Sequence, residues 1–326
     1  MTEENRYFGS DDKPLNLAQT KGVANLELSR VRKYTEPRPI DNAVLELETE
    51  TGCEMLVDKK SNNQAELLDD VTHCPINNDG KQVKAHIFQV NLNDNAYISD
   101  LYVGNPPQKV RGLFDTGSTN TWIINDKVQT QNEKQFSFKP ETSSSFHNTD
   151  QRAFIQFGSG SLSGNFVTDD VRLGSCDGSK SSGQVHIKNQ KFGQVLQQKT
   201  IFTGTNFESI VGLAYPALAE KGVTPVFDEM INQHLLKSNM FAFYLTNADE
   251  ESKGLKADLQ IGYYDKAKFT GDIHWNDIKL KYMFGVQLDD IKVNGKALNI
   301  CEGGKHDCLI TFDSGTSLSS VPNYAH

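Results

Sequence analysis

The residues with the clearest capacity for chemistry form a short motif that occurs twice. Leu113-Phe114-Asp115-Thr116-Gly117-Ser118-Thr119 returns as Thr311-Phe312-Asp313-Ser314-Gly315-Thr316-Ser317. A bare Asp-Ser/Thr-Gly triplet is expected by chance about 0.15 times in a chain of this length. One copy would say little, whereas two copies with matching Phe and hydroxyl flanks demand an explanation. In each, an apolar run ends in Asp and turns at Gly, which sets a carboxylate at a strand end and lets another backbone or a substrate come close. The flanking hydroxyls can donate hydrogen bonds that hold a carboxylate oxygen. If the two loops meet, their carboxyl groups share a site and repulsion opposes ionisation of both. One protonated and one charged carboxyl is the state that activates water and polarises an amide carbonyl. The plainer use of Asp-x-Gly, a turn that caps a strand, accounts for a single copy but not for a matched pair.

The elements around these motifs read as β-structure. Beyond Val83 the chain consists of short alternating runs separated by Gly, Asn, Asp and Ser, among them Ala96 to Val103, Val110 to Phe114 and Thr121 to Ile124. Ala153 to Phe157 alternates into Gly158-Ser159-Gly160, a hairpin tip, with a return strand near Phe166 to Leu173. One packing helix is expected, with Thr224 as N-cap, Pro225 at its first position, and Val226, Phe227, Met230, Ile231 and Leu235 on one face. Residues 1–90 differ in texture, being rich in Glu, Asp, Lys, Asn and Thr. The expected organisation is therefore an N-terminal extension over 1–90, a β lobe with the first aspartate over 91–264, and a partial β lobe with the second over 265–326.

Composition narrows the partners. The chain has 326 residues, enough for two domains with a real core. Its net charge of −9 argues against an electrostatic grip on nucleic acid or on an anionic membrane. No apolar stretch approaches the ~20 residues needed to cross a bilayer as a helix. The start is polar from Met1 to Thr20 and shows no signal-like apolar run. Five cysteines, at 53, 74, 176, 301 and 308, have no metal-like spacing and leave the redox compartment open. The eight histidines form no HExxH pattern or His-Cys cluster, so no metal or other cofactor is expected.

Several further segments carry a family resemblance over Tyr97 to Pro322. Tyr97-Ile98-Ser99-Asp100-Leu101-Tyr102-Val103-Gly104-Asn105-Pro106-Pro107-Gln108, Asp115 to Trp122, Ile210-Val211-Gly212-Leu213-Ala214-Tyr215-Pro216 and Thr224-Pro225-Val226-Phe227-Asp228 follow in order. In these the chain resembles the pepsin-like (A1-type) eukaryotic aspartic proteases, the group of pepsin, cathepsin D and the plasmepsins. The resemblance implies an all-β, bilobal acid-protease fold and an endopeptidase that hydrolyses peptide or protein substrates, acting as a monomer without a cofactor. It implies that Asp115 and Asp313 are the catalytic pair, that Thr116 and Ser314 cross-brace the two loops, and that Ser118 and Thr316 hydrogen-bond the carboxylates. It further implies that Gly117 and Gly315 face the substrate backbone and that Gln156 to Ser161, with Phe157, Gly158 and Ser159, form a flap. Trp122, Ile210 and Phe284 would wall apolar pockets, and Cys301 and Cys308 would be joined. It also implies a secretory, vacuolar or lysosomal route.

The chain departs from the family pattern in three places. Phe157 stands where tyrosine is usual, so no phenol reaches toward Trp122, and altered flap ordering and specificity are expected. Residues 123 to 135 lack the cysteine pair often found there. Thirteen residues follow Asp313, whereas a second lobe of ordinary size needs on the order of a hundred. On that count the expectation is a truncated protease whose second lobe leaves sheet edges unpaired and which is itself a poor enzyme. The extension, with Arg30-Val31-Arg32-Lys33 and Arg38, is either an inhibitory prosegment or a solvated charged face. The alternative to the endopeptidase is a non-catalytic relative, or an inactive fragment, whose cleft binds peptides.

Overall fold

The computed structural model describes residues 6–8, 14–16, 23–25, 82–128, 136–157, 160–174, 183–199, 201–301 and 308–322. The chain divides into two compact units, Met1–Leu26 with Val71–His326, and Glu27–Asp70. The second unit, with the basic run at Arg30 to Arg38, lies outside the described residues, as do Gly158, Ser159 and most of the loop from Ser175 to Gly183. Three short strands come first, β1 (Arg6–Phe8), β2 (Pro14–Asn16) and β3 (Val23–Asn25), with β1 antiparallel to β2.

The main body is a ten-stranded sheet built from β4 (Ala85–Leu92), β5 (Ala96–Val103), β6 (Gln108–Asp115), β7 (Trp122–Ile124), β8 (His147–Phe157), β9 (Gly160–Gly174), β10 (Gln184–Lys199), β11 (Ser209–Gly212), β12 (Phe241–Tyr244) and β13 (Ala257–Ile261). Their order across the sheet is β12-β13-β4-β5-β6-β11-β7-β10-β9-β8, with an extra β5–β9 pairing that curls it. β4 is an inner strand, paired with β13 on one side and β5 on the other. The sheet thus begins at Ala85, inside the range that composition assigned to the extension.

Strand alternation sends side chains into two cores. Val110 and Phe114 of β6, Ile123 of β7, Phe192 of β10 and Val211 of β11 join one apolar cluster. Trp122 and Ile124, pointing the other way from β7, join a second with Phe166, Val195 and Phe202. Helix α1 (Val226–Asn232) closes the first core with Val226 and Met230. Its N-cap is Pro225, in extended geometry and without a side-chain cap, so the chain enters the helix one residue later than Thr224 would have it. Helix α2 (Ala248–Glu251) is capped reciprocally by Asn247 and Glu250.

The remaining strands are β14 (Ile278–Leu280), β15 (Gly285–Gln287), β16 (Lys292–Val293), β17 (Lys296–Ala297), β18 (Leu309–Thr311) and β19 (Ser320–Pro322). They form a separate three-stranded sheet, β14-β15-β18, a β16–β17 hairpin, and a β19–β3 pair. The region is thinly covered, with Trp275 73% and Phe312 65% exposed. The whole is an all-β architecture with short helices. No helix among the described residues is long and apolar enough to cross a membrane.

Candidate active site

Asp115 is the last residue of β6, and its backbone pairs in parallel with Gly212 of β11. β11 backs the loop that follows: Leu213 N donates to Asp115 O at 2.8 Å and Ala214 N to Ser118 O at 2.9 Å. A Cβ on Gly212 would strike the Thr119 backbone, which is why this close approach needs glycine. Asp313 lies two residues beyond the end of β18, directly after Phe312.

The structure brings the two loops together. Thr116 N donates to Ser314 Oγ at 3.0 Å and Ser314 N to Thr116 Oγ1 at 2.9 Å. The same hydroxyls donate onward, Thr116 Oγ1 to Phe312 O and Ser314 Oγ to Phe114 O, both at 2.7 Å. Each hydroxyl therefore accepts from and donates to the opposite loop, so the two strand ends are locked at one separation. Thr116→Val keeps the shape but orphans the Ser314 amide and the Phe312 carbonyl. It should cost about 1–3 kcal/mol of stability in chemical denaturation, and no loss would mean that the brace is not holding the loops.

Each carboxyl is held by its own loop. Asp115 accepts from Gly117 N at 2.8 Å and from Ser118 Oγ at 2.5 Å. Asp313 accepts from Gly315 N at 2.9 Å and from Thr316 Oγ1 at 2.6 Å. The glycines also make room across the pair, since a Cβ on Gly117 would collide with the Asp313 carboxyl and one on Gly315 with that of Asp115. Burial, opposed by the Ser118 hydrogen bond and reinforced by the Asp313 charge, raises the Asp115 carboxyl to about 6. Two carboxyls in contact with a proton retained on one can hold and activate a water molecule.

The sequence matches the eukaryotic aspartyl protease family over residues 96–325. The chain belongs to that family. Among curated relatives, it is 33% identical to cathepsin E-A of Xenopus laevis over 236 residues, which covers 72% of this chain and 56% of the relative. It is also 33% identical to chymosin of Callithrix jacchus over 238 residues (72% and 58%) and to pepsin A of Suncus murinus over 240 residues (72% and 57%). The chain thus spans a little over half the length of these aspartyl proteases.

The other residues singled out from the sequence fall on several elements. β8 and β9 form the expected hairpin, with Phe157 opposite Gly160 and Gln156 Nε2 donating to Gly160 O at 2.9 Å. Trp122 is fully buried, its ring 5.8 Å from that of Phe166, and its indole N–H has no hydrogen-bond partner among the described residues. Ile210 is buried in the same cluster. Phe284 packs against Tyr215 and Phe241, with ring centroids 5.0 and 5.6 Å away. Cys301 and Cys308 are disulfide-bonded, with Cα atoms 5.7 Å apart.

Sequence reasoning passed over one pair. Glu208, just before β11, is completely buried and accepts from Arg111 of β6 through Nη2, through Nε at 3.2 Å and through the backbone N at 3.0 Å. Burial pushes the Glu208 carboxyl up, and Arg111 opposes that shift. The available signal was a charged residue in each of two apolar segments, Val110 to Phe114 and Phe207 to Val211.

Proposed function

We propose that this aspartyl protease relative is an endopeptidase that hydrolyses peptide bonds with water activated between Asp115 and Asp313. The supporting observation is the meeting of two separately anchored carboxyls, each lying across a glycine of the other loop. The pair holds a single proton at acidic pH, and burial favours Asp115 as its holder. The charged partner takes a proton from water as the water oxygen bonds to the amide carbon, while the acid gives its proton to the carbonyl oxygen. A neutral gem-diol results. The first carboxyl then passes its proton to the amide nitrogen as the C–N bond breaks, and a diol hydroxyl returns a proton to the second, which restores the pair.

Ser118 and Thr316 orient the carboxylates in this scheme, and Thr116 and Ser314 hold their spacing. The backbone at Gly117 and Gly315 faces the peptide. The segment Gln156 to Ser161, at the junction of β8 and β9, serves in this reading as a flap that limits water access to the bound peptide. Apolar side chains such as Ile210 and Phe284 favour substrates with bulky apolar residues flanking the cut. Residues 91–264 and 265–326 are the two lobes that carry one aspartate each, and residues 1–90 contain the extension.

The test is peptide cleavage measured across pH 3 to 8. Because the Asp115 carboxyl is raised to about 6, the singly protonated pair persists up to that pH. Cleavage should then fall about tenfold per unit above it. Stability follows the same direction. The folded state binds this proton more tightly than the unfolded chain, so the contribution is complete below about pH 4 and fades as pH rises through about 6. A cleavage rate still flat at pH 8 would contradict the assignment.

A further inference from the structure

The last residue of each motif copy, Thr119 or Ser317, is also a hydroxyl, and both hydroxyls reach out of their own loop. Thr119 Oγ1 donates to Tyr215 O at 3.1 Å, and Ser317 Oγ donates to Asn95 O at 2.6 Å. The two anchors are unrelated in the fold: Tyr215 follows β11, whereas Asn95 closes the turn between β4 and β5. We infer that Ser317 is a positioning residue for Asp313, mooring the far side of its loop to the β4–β5 turn. The inference rests on the reading of Asp313 as one of the catalytic pair.

The turn has the rigidity that an anchor needs. Asn93 and Asp94 both have left-handed backbones, φ 56° and 57°, a conformation Asn and Asp accept more readily than most residues. Asp94 N donates to Asn91 Oδ1 at 2.6 Å, and Asp94 Oδ1 accepts from Asn91 Nδ2 at 2.7 Å and from Ala248 N, at the start of α2, at 3.0 Å. Tyr97 OH and Asn91 Nδ2 both donate to Thr246 O, at 2.5 and 2.9 Å. The carbonyl that Ser317 meets therefore belongs to a segment cross-bonded within itself and to the stretch that leads into α2.

The Asp313 loop depends on such a mooring more than the Asp115 loop does. β11 runs beside β6 and bonds directly to the Asp115 loop, whereas β18 has β15 alone as a sheet neighbour among the described strands. Phe114 is 1% exposed and its counterpart Phe312 is 65% exposed. Ser314 fixes the near side of the second loop, and Ser317 lies one residue beyond Thr316, whose hydroxyl meets Asp313. A displacement at Ser317 therefore reaches that hydroxyl through a single peptide unit.

Amide hydrogen exchange over residues 313–317 is the direct test, comparing the unaltered chain with Ser317→Ala, Ser317→Thr and Asp94→Ala. Exchange should quicken by about 3- to 10-fold in Ser317→Ala, the scale of one lost hydrogen bond. It should return to the original rate in Ser317→Thr, and quicken again in Asp94→Ala, which loosens the turn without touching the loop. With a peptide substrate, Ser317→Ala should lower kcat by about 3- to 10-fold and leave KM within about twofold. Unchanged exchange in Ser317→Ala overturns the assignment, and so does a raised KM with kcat intact, which would make Ser317 a peptide contact. If the unaltered chain cleaves no peptide, the proposed activity falls, and the exchange comparison alone decides Ser317.

Discussion

Asparagine in place of Asp115 should reduce peptide hydrolysis by about 10⁴-fold or more while leaving the fold intact. The amide has nearly the same shape: its one oxygen can accept from Gly117 N, and its NH2 can donate to Ser118 Oγ, which met the other oxygen of the carboxyl. What it cannot do is carry a proton between water, carbonyl oxygen and amide nitrogen. The stability side of the experiment is equally informative. Burial raises the Asp115 carboxyl to about 6, so at pH 7 the folded chain bears the strain of an ionised group it would rather keep neutral. Asp115→Asn removes that strain, and its unfolding midpoint at pH 7 should equal or exceed that of the unaltered chain. Cleavage retained within tenfold would remove Asp115 from the mechanism. A peptide that binds equally well to both forms and is cut by neither would identify a peptide-binding protein instead.

Arg111→Ala should destabilise the chain by about 3–5 kcal/mol, the usual cost of stranding a buried charge. Glu208 has no exposed side-chain surface, whereas Arg111 retains 22% of its own. Removing the arginine therefore strands the carboxylate rather than the cation. Without Arg111 the Glu208 carboxyl rises further, so the loss should be greater at pH 7 than at pH 4, where protonation relieves it. Urea unfolding at the two pH values checks the sign. Glu208→Gln should be milder, and the double substitution Arg111→Met with Glu208→Leu should recover most of the loss, since a well-packed apolar pair commonly matches a buried ion pair. Equal destabilisation at both pH values would mean that the arginine acts through packing alone. The pair joins β6 to the segment entering β11, the two strands that deliver and back Asp115.

The meeting of the Asp115 and Asp313 loops was legible in the sequence because the geometry restricts residue type at every step: a carboxylate, a hydroxyl on each side of the glycine, and that glycine where the opposite carboxylate comes close. β5 was legible from alternation, and its observed limits, Ala96–Val103, are those expected. β4 was legible only in part: it falls in the β-texture read beyond Val83, but His86, Gln89 and Asn91 give it a polar cast, and the boundary at 90 left most of this inner strand in the extension. The same polar cast marks the sixteen residues of β10, where Gln184, Gln190 and Gln194 are buried. Partners distant in sequence decided those cases, and a single strand cannot reveal its neighbours. Glu208 was hidden likewise: read alone it is a surface acid, and only the pairing of β6 with β11 brings Arg111 to it.

The two tryptophans divide the molecule in a way an experimenter can use. Trp122 is fully buried in the ten-stranded sheet, whereas Trp275, before the three-stranded sheet, is 73% exposed. The first should emit toward the blue and resist an aqueous quencher such as iodide, and the second should emit toward the red and be quenched readily. Fluorescence from an unlabelled sample thus separates into one signal for the ten-stranded sheet bearing Asp115 and another for the approach to Asp313. The unfolding of each region can then be timed against the other without introducing a single probe.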